Sequence, residues 1–558
     1  MACDKSTMNS LRSGLHLAHP QDISASTDGD EAPTRRSVPF EPLSPISAPS
    51  GRSGQPLSIA ASQISPPIEI DRSAAAPLHT QVYEGYRTAI LRGDLRPGQR
   101  VPSSRHLAGE YRMSRFPILQ AYAQLLAEGY FESRTGAGTF IARLLPEQLT
   151  SVKRDINRPL RSLSGPRPVS HASSLYPSFN AGGFNRGWGA FGVHQPAFDQ
   201  FPFGIWSDLV ARHSRNPQAG ALHHLSPLGS ERFRSEICAY LRTARGVQCE
   251  PGQVMIVSGS QQALDITVRV LLDPGSPVFV EEPGNGLQRT ILNAAGCRLF
   301  PLPVDREGMD IGFAIDRKQK AKAAFITPSY QYPLGATMSV TRRLHLLNWA
   351  HTSGSWIIED DYDSEFRYES SPVASLQAMD ANARVIYIGT FSKVVFPSLR
   401  VGYIVIPHDL VDRFCAVRFA MDIFPPYLYQ EVLTDFMSEG HFARHIRRMR
   451  KLYGERRKIM VKSIRNQFGD MLEVQGAEAG MHVAVTLPGS FRDTEIAAKA
   501  LHSRLWLWPL SPCYLKGPVR QGFVLGFGST SSDHIPAAVA KLRSLIADWS
   551  GANAGRTA

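Results

Sequence analysis

Between residues 77 and 143 the apolar positions first fall at helical spacing. In Thr80–Arg92, Val82, Tyr86 and Ile90 share one face, and the pattern stops at Gly93-Asp94. After the turn Leu95-Arg96-Pro97-Gly98, a second helix is predicted over Pro102–Tyr111, with Ser103 as N-cap and Leu107 and Tyr111 on its buried stripe. A third runs Arg115–Glu128, with Ile118, Tyr122, Leu125 and Leu126 inward. Gly129–Ile141 then reads as a β-hairpin with a glycine-containing tip, a wing. Three helices and a wing make a winged helix-turn-helix, whose second HTH helix enters the DNA major groove by its N-terminal end.

Further on the pattern changes. Short apolar runs such as Val254–Val257, Val278–Val280 and Trp356–Ile358 are interleaved with helical segments such as Gly229–Leu241 and Gln261–Leu272. Apolar runs of this length read as buried parallel strands, hence an α/β domain with a mostly parallel sheet. From Gly440 a long basic helix keeps Ile446, Met449 and Tyr453 inward, its arginines solvated, and leads to a smaller C-terminal α+β domain ending in a helix at Ile535–Trp549. Residues 1–76 are rich in Ser, Pro, Ala and Gly without a period and read as a disordered extension. Residues 144–200 read as a linker whose aromatic end, Phe191–Trp206, docks on the large domain. The expected domains are therefore 77–143 and 201–553, with the small domain at about 440–550.

Composition changes this picture little. A net charge of +12 over 558 residues and a pI near 9.5 permit an anionic partner without identifying one. More telling, segment 77–143 holds nine arginines against five acids, so attraction to phosphate is available there. Six cysteines without a C-x-x-C pair argue for a reduced, cytoplasmic protein without a structural zinc or other metal. No stretch approaches 18 consecutive apolar residues, so no membrane span is expected.

Candidate chemistry centres on Tyr387–Gly402. Lys393 sits among apolar and small residues, with Thr390 and Ser392 before it and Arg400 seven residues after. A nucleophilic lysine needs its pKa lowered, by apolar surroundings or a nearby cation. A carbonyl cofactor with a phosphate needs hydroxyls and a guanidinium. About thirty residues upstream, Trp356–Asp361 reads as a strand ending in acids, and an acid facing the pyridine nitrogen of pyridoxal phosphate (PLP) keeps that nitrogen protonated. At Ser258–Gln262 a strand meets a small-residue turn and a helix, so Gly259, Ser260 and Gln261 form a helix N-terminus suited to phosphate.

The strings Thr327–Gly335, Glu359–Phe366 and Gly389–Lys393 resemble the MocR-type subfamily of the GntR transcription regulators, in which a winged helix is fused to a fold-type I aminotransferase-like PLP domain. The string Gly93-Asp-Leu-Arg-Pro-Gly98, Pro102-Ser-Ser-Arg105 and Glu128-Gly-Tyr130 resemble the GntR DNA-binding domain. The resemblance implies Lys393 as the Schiff-base lysine, Asp360 as the acid on the pyridine nitrogen, and Tyr362 near the cofactor's phenolic oxygen. It implies DNA contacts at Arg105, Ser114, Arg115 and Gly136. It also implies a homodimer with cofactor sites at the subunit interface, a double-stranded DNA operator, and PLP or an amine or amino acid as effector. The alternative is a working aminotransferase that carries a DNA-binding module.

The chain departs from the family pattern in four places. Phe116-Pro117 replaces residues that hydrogen-bond DNA; proline fits a first helical turn, and Phe116 can meet a thymine methyl. Asn285 stands where a tyrosine stacks on the cofactor ring, leaving Tyr330 or Tyr332 to cover it, and Tyr330 stands where histidine is usual. In Val524-Leu-Gly-Phe527 the arginine of Arg-x-x-Phe that grips a substrate carboxylate is missing, with Arg520 a candidate substitute. Asp361, Asp363 and Glu365 are expected as solvated acids or strand-edge caps.

Overall fold

The computed structural model describes residues 68–146, 167–176, 189–217, 223, 226–368, 374–516 and 520–554; the extension before residue 68 and most of the expected linker lie outside them. The chain divides into two compact units, Met1–Ser164 and Gly165–Ala558.

In the first unit, α1 (Leu78–Arg92), α2 (Ser104–Glu110) and α3 (Arg115–Ala127) precede a hairpin of β1 (Phe131–Arg134) and β2 (Gly138–Ile141). Helix α1 stops at Gly93, whose left-handed φ of 83° closes the last turn onto Ala89 and Ile90. Ser103 caps α2, its hydroxyl accepting from the His106 amide over 3.2 Å. Val82, Tyr86, Leu107, Ile118, Leu125 and Ile141 form the core. Tyr86, Tyr122 and Phe131 meet edge to face with centroids 5.2–5.6 Å apart. Because Tyr122 donates its hydroxyl proton to the Pro102 carbonyl (2.9 Å), Tyr86 is the donor in the 3.1 Å bond between the two phenols. Leu126, expected inward, is exposed: Leu125 takes the buried face, and its neighbour points about 100° away. The unstructured stretch expected to residue 76 also ends sooner. Ile68 is buried in this core, and its amide donates to the Tyr111 hydroxyl.

The second unit contains an eight-stranded sheet built from β3 (Val254–Val257), β4 (Pro277–Glu282), β5 (Arg298–Asp305), β6 (Gly308–Met309), β7 (Ala323–Ile326), β8 (Trp356–Asp361), β9 (Val385–Thr390) and β10 (Gly402–Val405). Its order is β3-β10-β9-β8-β7-β4-β5-β6. Strands β5, β4, β7, β8 and β9 run parallel, and β10 is antiparallel to both neighbours. Strands β3, β7 and β9 are buried throughout, as runs covered on both faces should be. The helix His441–Phe468 leads to a four-stranded antiparallel sheet of β11 (Glu473–Gln475), β12 (His482–Leu487), β13 (Trp508–Pro509) and β14 (Gln521–Gly526), ordered β11-β12-β14-β13. Ile446, Met449 and Tyr453 are buried on that helix as expected, but so are Arg456 and Arg457, which donate to the Gly528 and Ala477 carbonyls instead of meeting water. From Gly189 the chain is packed into this unit. Phe191 is fully buried, and its amide and carbonyl are held by Thr530 and Gly526.

Candidate functional site

Parallel pairing brings the C-terminal ends of β8 and β9 to one sheet edge. Asp360 lies opposite Ile388 and Asp361 opposite Gly389, so the acids end beside Thr390, three residues before Lys393. Strand β10 enters the same edge from the other direction: Gly402 pairs with both Thr390 and Val257. The turn after β3 and the loop carrying Arg400 therefore meet. The Arg400 guanidinium donates to the Ser258 carbonyl (2.6 Å), and a Cβ added at Gly259 would stand 3.2–3.3 Å from it. Gly259, at φ 87°, is the N-cap of the helix Ser260–Leu271, so only glycine fits that approach. This helix starts one residue earlier than its apolar pattern predicts. Its first amides, on Ser260 and Gln261, lack intrahelical acceptors. Gln262, grouped with that turn in the sequence, serves the scaffold: it accepts from the Ser258 amide and Arg418 and donates to Asp422.

Lys393 is half-buried at this edge. Burial lowers its ammonium pKa to about 8; Asp363 and Asp360 oppose that shift and Arg400 adds to it. Asp360 is buried, and burial followed by the charge of Asp361 raises its carboxyl to about 7 against the pull of Lys393. Asp360 Oδ1, Tyr362 Oη and Ser392 Oγ are buried without a hydrogen-bond partner among the described residues. Thr390 Oγ1 accepts from the Ser392 amide at 3.2 Å. A buried acceptor, phenol and hydroxyl left unmatched beside one lysine are unusual, since such groups are paired almost everywhere in folded proteins. Their types match a ring nitrogen, a phenolic oxygen and a phosphate, so the residues present fit PLP.

Asp361 and Asp363 are buried and Glu365 is half-buried. Arg245 and Asp361 form a buried ion pair, and Tyr387 and Ser364 also donate to Asp361. Burial pushes Asp361 up, but Arg245 and these donors outweigh it, and the carboxyl lies below its usual value. Asp363 accepts from the Met481 amide and is raised by burial. Glu365 accepts from Tyr240 and is raised by burial to about 7. Asn285 also has a local reason: it caps the helix Gly286–Ala294, accepting from the Leu287 amide over 3.0 Å. Arg520 is exposed just before β14, whose other end, Gly526, pairs with His482. At about 3.4 Å per residue that separates Arg520 from the His482 end by roughly 20 Å.

Three residues that act on the groups of this edge carried no usable signal in the sequence. His194 acts electrostatically with Lys393 and His482, and its ring centroid lies 5.3 Å from Tyr332 and 5.9 Å from Tyr362. His482 packs on Tyr330 at 4.7 Å. Both are isolated histidines in apolar stretches. Arg245, at a helix end before Gly246, reads as a C-terminal capping residue.

In the first unit, Arg105 on α2 and Arg115 at the start of α3 are exposed, and Arg115 Nε donates to Ser104 Oγ at 3.0 Å. Ser114 is the N-cap of α3 yet makes no side-chain cap bond, which leaves its hydroxyl available. Gly136, at φ 77°, turns the wing tip, and no atom lies within 4 Å of a Cβ added there. Phe116 is 67% exposed and Leu119 43%, side by side on the first turns of α3.

Residues 78–141 match the model of the gntR family of bacterial regulatory proteins. The probable rhizopine catabolism regulatory protein MocR of Rhizobium meliloti is 38% identical over 494 residues, 87% of this chain and 97% of that protein. The pyridoxine biosynthesis transcriptional regulator PdxR of Corynebacterium glutamicum is 28% identical over 485 residues, 86% and 98% of the two chains. Among solved structures, the kynurenine aminotransferase of Pyrococcus horikoshii aligns with a TM-score of 0.62 and 26% identity, covering 71% of this chain and 99% of that one. The aminotransferase-like unit is thus joined to a DNA-binding domain along the whole length of such regulators, and the chain belongs to the MocR-like, gntR-type transcriptional regulators.

Proposed function

We propose that this regulator binds PLP at Lys393 and senses PLP itself or an amine, acting as a cytoplasmic homodimer on a double-stranded operator. The observation that carries the reading is the set of unmatched buried atoms on Asp360, Tyr362 and Ser392 around one lysine of lowered pKa. Asp360 holds a proton on the ring nitrogen, and Tyr362 donates to the phenolic oxygen. Gly259, Ser260 and Gln261, with Thr390, Ser392 and Arg400, hold the phosphate at the helix N-terminus. When bound, PLP supplies an aldehyde for amines and an electron sink. Arg105, Ser114, Arg115 and the wing at Gly136 contact DNA, and effector binding changes operator affinity to the extent that the two states bind the effector differently.

Full-length protein mixed with PLP is expected to gain a visible-violet absorption band that borohydride removes, with none in Lys393→Ala. An equal band in Lys393→Ala would overturn the assignment. Turnover between amino acids and keto acids at ordinary enzymatic rates would favour a working aminotransferase instead.

A further inference from the structure

Ahead of α1, residues 68–76 form a strap that ties two helices of the first unit together. Ile68 packs on α1 so closely that a Cβ added at Gly85 would stand 2.7 Å from its side chain. Gln81 of α1 accepts from the Asp71 amide (2.9 Å) and donates to the Asp71 and Ala76 carbonyls (2.8 Å each). Asp71 itself accepts from the Ser73 amide and hydroxyl, which fixes the bend of the strap. On the other side the strap reaches the end of α2. The Ile68 amide donates to the Tyr111 hydroxyl, and Arg72 donates to the Arg112 carbonyl at 2.6 Å and to that of Tyr111 over a longer 3.5 Å.

Those two carbonyls lie in the turn between α2 and α3. The Met113 amide returns to the Ala108 carbonyl and the Arg112 amide to that of Gly109, while Arg112 holds a left-handed φ of 46°. A helix ending of this kind favours glycine at the left-handed position, because a side chain there is strained. Carbonyls at a helix C-terminus also lack intrahelical donors and carry partial negative charge. A guanidinium on the Arg112 carbonyl answers both conditions, at the residue where the turn is most strained. Two residues further on, Ser114 is the N-cap of α3. The conformation held at Arg112 therefore sets the direction in which Arg115 and Phe116 leave the turn. Arg72 is in turn held by its neighbours on the strap, which Ile68 and Gln81 anchor to α1.

We propose that Arg72 is a positioning residue for operator recognition: it fixes the turn between α2 and α3, and so the pose of α3 in the groove, without touching DNA itself. The proposal rests on α3 being the helix that enters the groove. It extends the working DNA-binding unit from residue 77 back to residue 68.

The test titrates full-length protein by gel shift, at several salt concentrations, against two duplexes. One is selected by the wild type from a randomised pool, and the other is a scrambled duplex of the same composition. Because Arg72 is exposed, Arg72→Ala is expected to keep the wild-type circular dichroism. It is expected to lose about tenfold on the selected duplex, the scale of one hydrogen bond from a charged group, and less than about twofold on the scrambled one. The salt slope should stay that of the wild type. Ile68→Ala, which loosens the strap and removes no charge, is expected to shift binding in the same direction. Equal losses on both duplexes, with the slope reduced by roughly 1, would make Arg72 a phosphate contact and overturn the proposal. Wild-type binding of both duplexes by Arg72→Ala would overturn it as well, leaving the strap a packing element only. Arg115→Ala tests the reading beneath: if it binds the selected duplex as the wild type does, the placement of α3 in the groove fails.

Discussion

Arg245 donates from Nε to Oδ2 of Asp361 across 2.8 Å, joining residues 116 positions apart with 3% and 0% of their side chains exposed. In this pair Arg245 keeps Asp361 ionised, and the Asp361 charge is one cause of the raised pKa of Asp360. Removing one member leaves the other buried and uncompensated, which typically destabilises by about 3–5 kcal/mol. Arg245→Ala should therefore lower the unfolding free energy by that amount, read as a lower urea midpoint. The sign with pH follows from the depressed carboxyl. Its stabilisation is complete above the unfolded value of about 3.9 and is lost as pH falls through the lower folded value. Arg245→Ala should flatten stability against pH below about 4. An unchanged midpoint would show that the pair contributes nothing.

Lys393 sets the pH dependence of cofactor uptake. With its ammonium near 8, the reactive neutral amine grows in as pH rises from about 7 to 9, and the rate of band formation with PLP should follow. Because an unfolded lysine titrates near 10.4, the unfolded chain binds more protons between about 8 and 10.4. Stability of the cofactor-free protein should therefore rise across that window. Lys393→Met should lack this rise in urea titrations at pH 8 and 10.

On the DNA side, charge and reading separate by residue. Arg105→Ala should weaken binding about equally on operator and random DNA and reduce the salt slope by roughly 1. Phe116→Ala, at a 67% exposed position, should leave folding intact and alter base preference. Replacing thymine by uracil at the contacted step should cost about 0.8 kcal/mol for the lost methyl. The wild type should show this loss and Phe116→Ala should not; gel-shift titrations compare the two. Equal losses would place the methyl contact elsewhere.

Two buried histidines of the large unit should weaken it in acid, against the opposite contribution of Asp360 and Glu365, whose raised carboxyls titrate at about 7. Burial holds His482 at about 3 and His445 at about 4, below the unfolded value of about 6.5. The unfolded chain binds the extra protons between those limits, so each histidine's contribution to stability falls as pH drops below about 6.5, by up to about 1.4 kcal/mol per unit. His482→Gln should reduce the drop in urea midpoint between pH 7 and 5, whatever its stability at pH 7. A drop of wild-type size would assign the effect to other groups.

The sequence by itself determined the winged helix and the lysine-centred edge, because both rest on local rules. Val82, Tyr86 and Ile90 mark the face of α1 through spacing alone, Ser103 marks the cap of α2, and the short apolar run ending at Asp360 marks a buried parallel strand. Only the tertiary structure decided which polar groups are matched. Asp361 looked solvated because its partner, Arg245, lies 116 residues away on a helix end, and periodicity cannot pair residues across such distances. Asn285 looked like a vacant stacking position until the start of the helix Gly286–Ala294 gave its side chain a backbone amide to hold. His194 and His482 come together because a loop pinned by Thr530 and the first residue of β12 converge on Lys393. Burial and charge at a site are sums over elements distant in the chain, so they exist only once those elements have packed.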